Sequence, residues 1–251
     1  MRKIRVLQIC NQLGIGGSEK TLQILSQYLN KEIFEVIICG VEKDGLREEI
    51  LRKNGFETHI LNGDFSRLRR LIKEKNVDIL HLHRGGSTEF PVLKIAKEAG
   101  VPAVIETNIF GYSAPNEVED IIDLHLLVSK TVTLDYIRRE RISMDQFLKK
   151  GRVLYNPVDI DEFKRNRPSE QQILQFRREI GVDRHTPLIC RVGRPDVAKW
   201  TSFPVNMMWF LARMVPEVRY LIVGGMSEWI NKKIAKYHLE RNFIDFGVAS
   251  E

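Results

Sequence analysis

Two cations follow an apolar run in the second half of the chain, with the spacing of a phosphate-binding loop. The run at residues 187–192 ends at Gly193, and Arg194 and Lys199 come next, just before a helix-like segment. Arginine offers a planar fork of N–H donors and lysine a mobile point charge, so the pair suits a multiply charged phosphate. The N-terminus of the next helix adds free N–H groups and a favourable dipole. A plain strand-to-helix loop with two solvated cations is the alternative.

A glycine-rich loop near the N-terminus is the second candidate. Gly14, Gly16 and Gly17 lie between a predicted strand and a predicted helix, and Glu19 follows in the first turn. Glycines allow close backbone approach, so the loop suits an anion or a tightly held ligand. The spacing is close to the dinucleotide fingerprint G-x-G-x-x-G, but Glu19 occupies the third glycine position. Glu42 follows the second strand at a separation that suits a ribose-binding acid, so an NAD-dependent oxidoreductase is an alternative. A plain glycine turn, with Glu19 as dipole partner of the helix, is open too.

Two histidines end a predicted strand in the first half of the chain. His81 and His83 alternate along the apolar run at residues 77–83, so their side chains face the same side. They lie at the carboxyl end of the strand, where α/β sheets place their ligands. A structural role in the core and contact with a ligand both fit this position. The sequence offers no evident third ligand beside them, so we predict no metal site.

The overall charge favours anionic partners. The chain of 251 residues carries 39 basic and 33 acidic side chains, a formal net charge of +6. Nucleotide phosphates or an anionic membrane surface suit this balance. Basic clusters at residues 67–75, 138–141 and 149–152 suit either solvated helix faces or peripheral membrane contact. The sequence has no nucleic-acid-binding motif with interleaved aromatic residues, so nucleic acid is not an expected partner.

Cysteine usage and the N-terminus predict a cytoplasmic protein. Cys10, Cys39 and Cys190 lack C-x-x-C spacing, which favours reduced, buried thiols over disulfides or zinc ligation. The sequence has no apolar run as long as a membrane span. The N-terminus passes directly into a strand-like segment, without the pattern of a signal peptide. We therefore expect a cytoplasmic protein, with peripheral contact at the inner membrane face as an extension of that expectation.

Strand-like and helix-like segments alternate over the first two thirds of the chain. The predicted strands are residues 4–10, 34–39, 57–61, 77–83, 101–106, 124–129 and 152–155. The predicted helices are residues 21–29, 46–53, 66–75, 87–99 and 130–141. Continuous apolar strands joined by helices are typical of a parallel sheet that is covered on both faces. We predict a doubly wound α/β domain of six or seven strands over residues 1–163.

The alternation starts again after a polar linker at residues 156–172. The predicted elements are helices at residues 172–180, 205–214 and 228–237 and strands at residues 188–192, 219–224 and 243–246. Three strands are about half of a six-stranded doubly wound domain. Residues 164–251 are therefore predicted to form a partial second domain of the same kind.

The order of these pieces resembles a family 4 glycosyltransferase of the GT-B type, and the resemblance covers nearly the whole chain. The matching pieces are residues 16–19, 77–83, 101–107, 127–129, 153–159 with Phe163, 192–199, Pro216 with 221–225, and 246–248. The resemblance implies two Rossmann-like domains that face each other across a cleft. It also implies transfer of a sugar from a nucleotide-sugar donor, UDP- or GDP-linked, to an acceptor, with retention at the anomeric carbon and without a required cofactor or metal.

The resemblance also assigns roles on the donor side. Arg194 and Lys199 would be the catalytic cations, which hold the donor diphosphate and stabilise the leaving nucleotide. Gly193 would belong to the same phosphate site. Gly16 and Gly17, with Glu19 beside them, would let the first loop approach the donor phosphate and the transferred sugar. Residues 156–159 would mark the hinge between the domains.

On the acceptor side the resemblance implies a saccharide or lipid-linked acceptor bound mostly by the first domain. His81, His83 and Asn108 are the candidate contacts with a sugar or acceptor. Asn108 stands near the position where the family often has a histidine, so its contribution would be a hydrogen bond and not catalysis. Trp200 stands where the family usually has glycine, so it would crowd the loop or stack on a ligand.

The family's E-x7-E segment and the rest of its donor domain would lie beyond Glu251. We therefore expect a donor domain that is truncated in this chain, with self-association through the incomplete domain as one consequence. A non-catalytic binding protein of the same fold, completed by a partner, is the main alternative to an enzyme.

Overall fold

The computed structural model describes residues 2–85, 90–193 and 201–249, and its contacts divide the chain into two compact units. The first unit covers residues 1–160 and the second covers residues 161–251. The boundary that we predicted from the sequence follows residue 163, within a short helix that spans the division.

Seven parallel strands form the sheet of the first unit. They are β1 (Ile4–Gln12), β2 (Phe34–Lys43), β3 (Glu57–Ile60), β4 (Ile79–Arg84), β5 (Ala103–Asn108), β6 (Leu124–Leu127) and β7 (Gly151–Val153). Their order in the sheet is β3-β2-β1-β4-β5-β6-β7, and every neighbouring pair is parallel. The strands are apolar and buried because both faces of the sheet are covered.

The helices of this unit are α1 (Gly17–Tyr28), α2 (Leu46–Lys53), α3 (Phe65–Lys75), α4 (Phe90–Glu98), α5 (Asn116–Glu119), α6 (Lys130–Glu140) and α7 (Met144–Lys150). Local signals fix several of their ends. The side chain of Asp64 caps α3, which ends at Asn76 in the left-handed conformation. Ser143 and Gln146 form a reciprocal capping box at the start of α7.

The helices lie on both faces of the sheet. Leu22 of α1 and Leu51 of α2 pack with Ile38 in one buried cluster. Ile37, the neighbour of Ile38 on β2, belongs to a second cluster that contains the apolar residues of α3 and α4, such as Leu68. Successive strand residues point to opposite faces, so the two clusters are the two faces of one doubly wound domain. This confirms the predicted α/β fold class.

The second unit has a sheet of three strands. Its elements are α9 (Glu170–Glu179), β8 (Leu188–Val192), α10 (Phe203–Met214), β9 (Arg219–Val223), α11 (Glu228–Lys236), a short 3-10 helix (Glu240–Asn242) and β10 (Phe243–Asp245), and α8 (Ile160–Arg165) spans the division between the units. The strands are parallel in the order β10-β9-β8. Val205 and Met208 of α10 and Ile230 of α11 pack on this sheet.

Some predicted boundaries need correction. The linker that we predicted at residues 156–172 contains α8, and α9 begins two residues earlier than expected, at Glu170. The short helices α5 and α7 were not predicted. The helix predicted from residue 87 begins at Phe90 within the described residues, and residues 87–89 lie outside them. Among the helices that the structure describes, we find none with the length and apolar character of a membrane span.

Candidate functional site

The strand order of the first unit reverses between β1 and β4. β1 is followed by β2 on one side, and β4 is followed by β5 on the other, so the loops after β1 and β4 leave in opposite directions. Open α/β sheets bind their ligands in the crevice at the carboxyl ends of strands at such a point. The glycine loop follows β1, and His81 and His83 lie on β4. The glycine loop and the two histidines therefore belong to the two strands on either side of the reversal.

The glycine loop places its backbone at the N-terminus of α1. Gly16 is the N-cap, in an extended conformation with φ −161° and ψ 166°. A Cβ atom at Gly16 would overlap the carboxylate of Glu19, so only glycine fits there without a shift. A Cβ atom at Gly17 would meet no atom within 4 Å in the described part of the chain. The backbone at Gly17 is thus open to a ligand, as the phosphate-binding prediction requires.

Glu19 is buried beside this loop. Its side chain is 5% exposed, and Ser18 Oγ donates a hydrogen bond of 3.0 Å to its Oε2 atom. A carboxylate in the first turn interacts favourably with the helix dipole. The geometry therefore supports Glu19 as the dipole partner of α1. A direct contact between Glu19 and a donor stays a prediction.

The loop between β2 and α2 packs against the glycine loop. A Cβ atom at Gly45 would lie 2.8 Å from the carbonyl oxygen of Leu13 and 2.9 Å from Gly14 Cα. The backbone N–H of Arg47 donates to the same Leu13 oxygen at 3.1 Å. The Arg47 guanidinium is buried and donates to Gln23 Oε1 at 2.6 Å. Sequence reasoning missed these residues. The only signal was Asp44-Gly45 ahead of a helix, because nothing in the spacing shows that the two loops touch.

The histidines of β4 are neutral core residues. His81 is hydrogen-bonded through Nε2 to Thr107 Oγ1 at 2.8 Å, and His83 through Nε2 to Gln8 Oε1 at 2.7 Å. Their ring centroids are 4.3 Å apart. Burial lowers the pKa of His81 to about 4, and burial together with the neighbouring His81 holds the pKa of His83 well below its usual range.

This geometry supports the structural interpretation of both histidines. Nδ1 of His83 is buried without a hydrogen-bond partner among the described residues. A contact between either histidine and a sugar or acceptor remains untested.

Asn108 at the end of β5 organises the loop that follows it. It is 1% exposed, and its Nδ2 donates to the carbonyl oxygen of Tyr112 at 2.8 Å. Its Oδ1 accepts a hydrogen bond of 3.2 Å from the backbone N–H of Tyr112. Both ends of the amide are therefore engaged within the protein. This arrangement favours a positioning role over the sugar contact that we predicted.

A buried network of charges connects β4, β5 and β6, and sequence reasoning missed it. Arg84 Nε donates to Glu106 Oε1, and both side chains are at most 2% exposed. Glu106 Oε2 accepts from Nδ1 of His125 at 2.8 Å. Nε2 of His125 lies 2.7 Å from Glu119 Oε1, which also accepts from the Tyr136 hydroxyl at 3.2 Å. The network runs from the core to Glu119, which is partly exposed.

His125 is positively charged within this network, because both of its ring nitrogens face a carboxylate and both must donate. Burial alone would lower the pKa of His125, but the hydrogen bonds and charges of Glu106 and Glu119 outweigh it and raise the pKa to about 9. Burial raises the pKa of the Glu119 carboxyl, and the bonds from His125 and Tyr136 outweigh that effect and lower it. Two cations thus balance two carboxylates.

The signal for this network was a charged residue within an apolar strand. Glu106 ends the run that became β5, and it lies directly across from His125 of β6 in the strand register. A buried carboxylate requires a partner, so Glu106 alone could have been flagged. The identity of its partners depends on the strand order, which the sequence does not state.

The predicted phosphate site of the second unit is only partly described. The backbone N–H of Gly193 donates to the carbonyl oxygen of Val223 at 2.9 Å, which continues the pairing of β8 with β9. Gly224, at the end of β9, likewise donates to Gly247 at 2.7 Å. Arg194 and Lys199, the two predicted catalytic cations, lie outside the described residues, as does Trp200. Their roles stay predictions.

Metal ligation has no support in the part of the chain that the structure describes. That part contains no cluster of three or more histidine, cysteine, aspartate or glutamate side chains that could hold a metal ion.

Comparison with known proteins gives one relative by sequence and many by structure. The chain is 26% identical over 191 residues to the capsular polysaccharide biosynthesis glycosyltransferase CapH of Staphylococcus aureus. The matched region is 67% of this chain and 51% of CapH, so the chain spans about half the length of the curated relative it matches. No family model matches the chain.

Two solved structures are similar in fold to most of this chain. The UDP-GlcNAc 2-epimerase of Neisseria meningitidis, bound to UDP-GlcNAc, has a TM-score of 0.62 at 13% identity over 99% of this chain and 73% of its own. An α-glucosyltransferase in complex with UDP has a TM-score of 0.62 at 14% identity over 94% of this chain and 62% of its own. The chain has a GT-B-like fold. At this level of identity the likeness shows the fold alone, and the chemistry has to be argued from the site.

Proposed function

We propose that this chain is a retaining glycosyltransferase, similar to family 4, that moves a sugar from a UDP- or GDP-sugar to a saccharide or lipid-linked acceptor. The observation that carries the proposal is the sequence similarity to a glycosyltransferase over 191 residues. The strand reversal in the first unit, where the backbone at Gly17 is open, is the position at which open α/β sheets bind phosphorylated ligands, and it supports the proposal.

In this proposal the site residues stabilise the negative charge that develops during the reaction. When the bond between the sugar and the diphosphate breaks, negative charge develops on the leaving nucleotide. Arg194 and Lys199 stabilise that charge, and loss of one such donor typically reduces turnover about 10²- to 10³-fold. The N-terminus of α1, where Gly16 and Gly17 leave the backbone accessible, offers N–H donors to a phosphorylated ligand of the first unit. The reaction as proposed requires neither a metal nor a cofactor.

The test is a nucleotide-release assay with UDP- and GDP-sugars, each with and without a panel of saccharide and polyprenyl-phosphate-linked acceptors. We expect release that depends on an acceptor and on one nucleotide class, with a new glycosidic product by mass spectrometry. Arg194→Ala and Lys199→Ala should each reduce it about 10²- to 10³-fold. Arg178→Ala and Lys236→Ala, exposed cations of the same unit, are the matched controls. Equal release from all five proteins would refute the roles assigned to the two cations.

A nucleotide-sugar epimerase is the second candidate. UDP-GlcNAc 2-epimerases are prominent among the similar structures, and three of them align over 99% or more of this chain. The discriminating measurement is incubation with UDP-GlcNAc in deuterated water and without an acceptor. An epimerase would produce the C2 epimer with deuterium at C2. A glycosyltransferase would leave C2 unlabelled. Detection of the labelled epimer would replace our first proposal by this one.

We propose a cytoplasmic location with peripheral contact at an anionic membrane, which suits a lipid-linked acceptor and a net charge of +6. Flotation with phosphatidylglycerol vesicles at low and high salt tests it, and binding that is absent at low salt would refute it.

Self-association through the second unit is a separate proposal, and sedimentation velocity at several concentrations tests it. A monomer at every concentration would refute that one.

A further inference from the structure

We infer that Phe110 and Tyr112 form an aromatic platform on which a pyranose ring of a carbohydrate ligand stacks. The inference rests on the proposed function, because it names the part of the protein that binds the acceptor of the proposed reaction. The two rings lie on the loop between β5 and α5, and they are 50% and 48% exposed. Their centroids are 5.4 Å apart and their planes are tilted by 32°.

Several contacts hold the backbone of this loop in one place. The carbonyl oxygen of Tyr112 accepts hydrogen bonds from Arg84 Nη2 at 2.6 Å and from Asn108 Nδ2 at 2.8 Å. Nη1 of Arg139, on α6, donates to the carbonyl oxygens of Gly111 at 3.1 Å and Phe110 at 3.4 Å. The platform is therefore anchored to two strands and to a helix of the same unit.

Gly111, between the two rings, lets the loop press against α6. Its φ is +63°, a region that side chains other than glycine rarely adopt, and a Cβ atom there would lie 2.8 Å from the carbonyl oxygen of Val132. Binding residues commonly lie on loops that a rigid scaffold positions, and this loop has that character.

The network of buried charges supports the platform from below. Arg84, which holds Tyr112, is itself held by Glu106, and Glu106 is held by His125. Arg84 could not be buried without this carboxylate, because an unpaired buried cation is strongly destabilising. The network thus places the Arg84 guanidinium, a cationic donor, against the carbonyl oxygen of Tyr112 at the end of the aromatic loop.

The chemistry of the platform favours a carbohydrate. The C–H face of a pyranose ring is apolar and stacks on an aromatic face, while its hydroxyl groups point outward and need hydrogen-bond partners. The Arg139 guanidinium lies over the Tyr112 ring, 5.2 Å from its centroid, so it covers part of one face of that ring and places N–H donors next to it. The Tyr112 hydroxyl adds a donor and acceptor. Two exposed rings with polar groups at their edge match such a ligand better than a purely apolar one.

The position of the loop agrees with this assignment. It follows β5 at the carboxyl edge of the parallel sheet, the edge on which open α/β folds bind their ligands. Rigid aromatic side chains on a fixed backbone lose little conformational entropy when a ligand binds, so a modest contact area is enough for recognition.

The test is saturation-transfer NMR on the full chain with methyl glycosides and short oligosaccharides of glucose, galactose and N-acetylglucosamine. We expect binding of at least one saccharide, weakened about two- to tenfold in Phe110→Ala and again in Tyr112→Ala. Tyr112→Phe keeps the ring and should retain most of the affinity. Tyr155→Ala removes another exposed aromatic residue of the same unit and is the matched control.

Three results would overturn the inference. One is the absence of any saccharide signal from the wild-type protein at about 10 mM ligand. Another is equal affinity in wild type, Phe110→Ala and Tyr112→Ala, with melting curves that show folded protein. The third is loss of binding to phosphatidylglycerol vesicles in the two variants with saccharide binding unchanged, which would make the rings a membrane contact.

A parallel thermal-shift measurement with UDP and GDP separates this inference from the proposed function. Suppose that Phe110→Ala and Tyr112→Ala keep the stabilisation by nucleotide and also bind the saccharide as well as the wild type does. This result would refute the aromatic platform and leave the proposed function standing. Saccharide binding that depends on both rings, without any nucleotide binding, would keep the platform and remove the proposed transferase.

Discussion

The positive charge of His125 predicts how the stability of the folded protein depends on pH. The pKa of His125 is raised from its ordinary value of 6.5 to about 9 in the folded protein. The folded state therefore holds a proton that the unfolded state releases above pH 6.5. The stabilisation from this group is fully present below that pH and is lost as the pH rises towards 9. At about 1.4 kcal/mol per pH unit, the loss is about 3 kcal/mol.

The cysteines and tryptophans allow this loss to be measured in the first unit alone. Cys10 and Cys39 are buried there, whereas Cys190 of the second unit is exposed. All three tryptophans belong to the second unit, so their fluorescence does not report on the first. In a Cys190→Ser background, thiol labelling measures opening of the first unit. Each labelling rate is divided by that of the urea-unfolded chain at the same pH, because thiol reactivity itself depends on pH.

We expect the opening equilibrium of the first unit to rise about a hundredfold between pH 6.5 and 9. His125→Gln should be less stable at pH 6.5 and should lack this slope. His59→Gln removes a partly exposed histidine that also pairs with a glutamate, and it should keep the slope. The reasoning is refuted if the wild-type protein and His125→Gln lose stability in parallel over this range.

Three substitutions test other contacts. Glu106→Gln leaves two cations buried without their shared carboxylate and should destabilise the first unit by about 3–5 kcal/mol, measured by thiol labelling in urea. Gly16→Ala places a Cβ atom on the carboxylate at the end of the Glu19 side chain, which can shift, and should cost about 1 kcal/mol; a smaller cost in a Glu19→Ala background would confirm the clash by a double-mutant cycle. Ser169→Ala removes the cap of α9 and should cost about 1 kcal/mol, read from tryptophan fluorescence during urea unfolding; no change would contradict the capping geometry.

Elements with strong local signals could be predicted closely from the sequence. The bounds of α2 (Leu46–Lys53) and β8 (Leu188–Val192) agree with the prediction, because a glycine follows the end of each within two residues. α8 (Ile160–Arg165) was missed because all of its side chains are at least partly exposed, so it lacks the apolar stripe that marks a helix.

The candidate site could be predicted only in its local parts. The place of the glycine loop between β1 and α1 followed from local patterns, whereas its position at the switch point depends on the strand order of the sheet. The bond between Arg84 and Glu106 did not, because it joins residues 22 apart in the chain across two strands. The close packing of Gly45 against Gly14 could not be predicted for the same reason. Contacts of this kind depend on strand order and register, which local patterns do not encode.

The most direct test of the central claim is calorimetric titration of the full chain with UDP and with GDP. We predict binding of one of the two nucleotides, weakened at least tenfold in Arg194→Ala and in Lys199→Ala and unchanged in Arg178→Ala. Binding of neither nucleotide by a folded wild-type protein would contradict the claim that this chain takes its sugar from a nucleotide-linked donor.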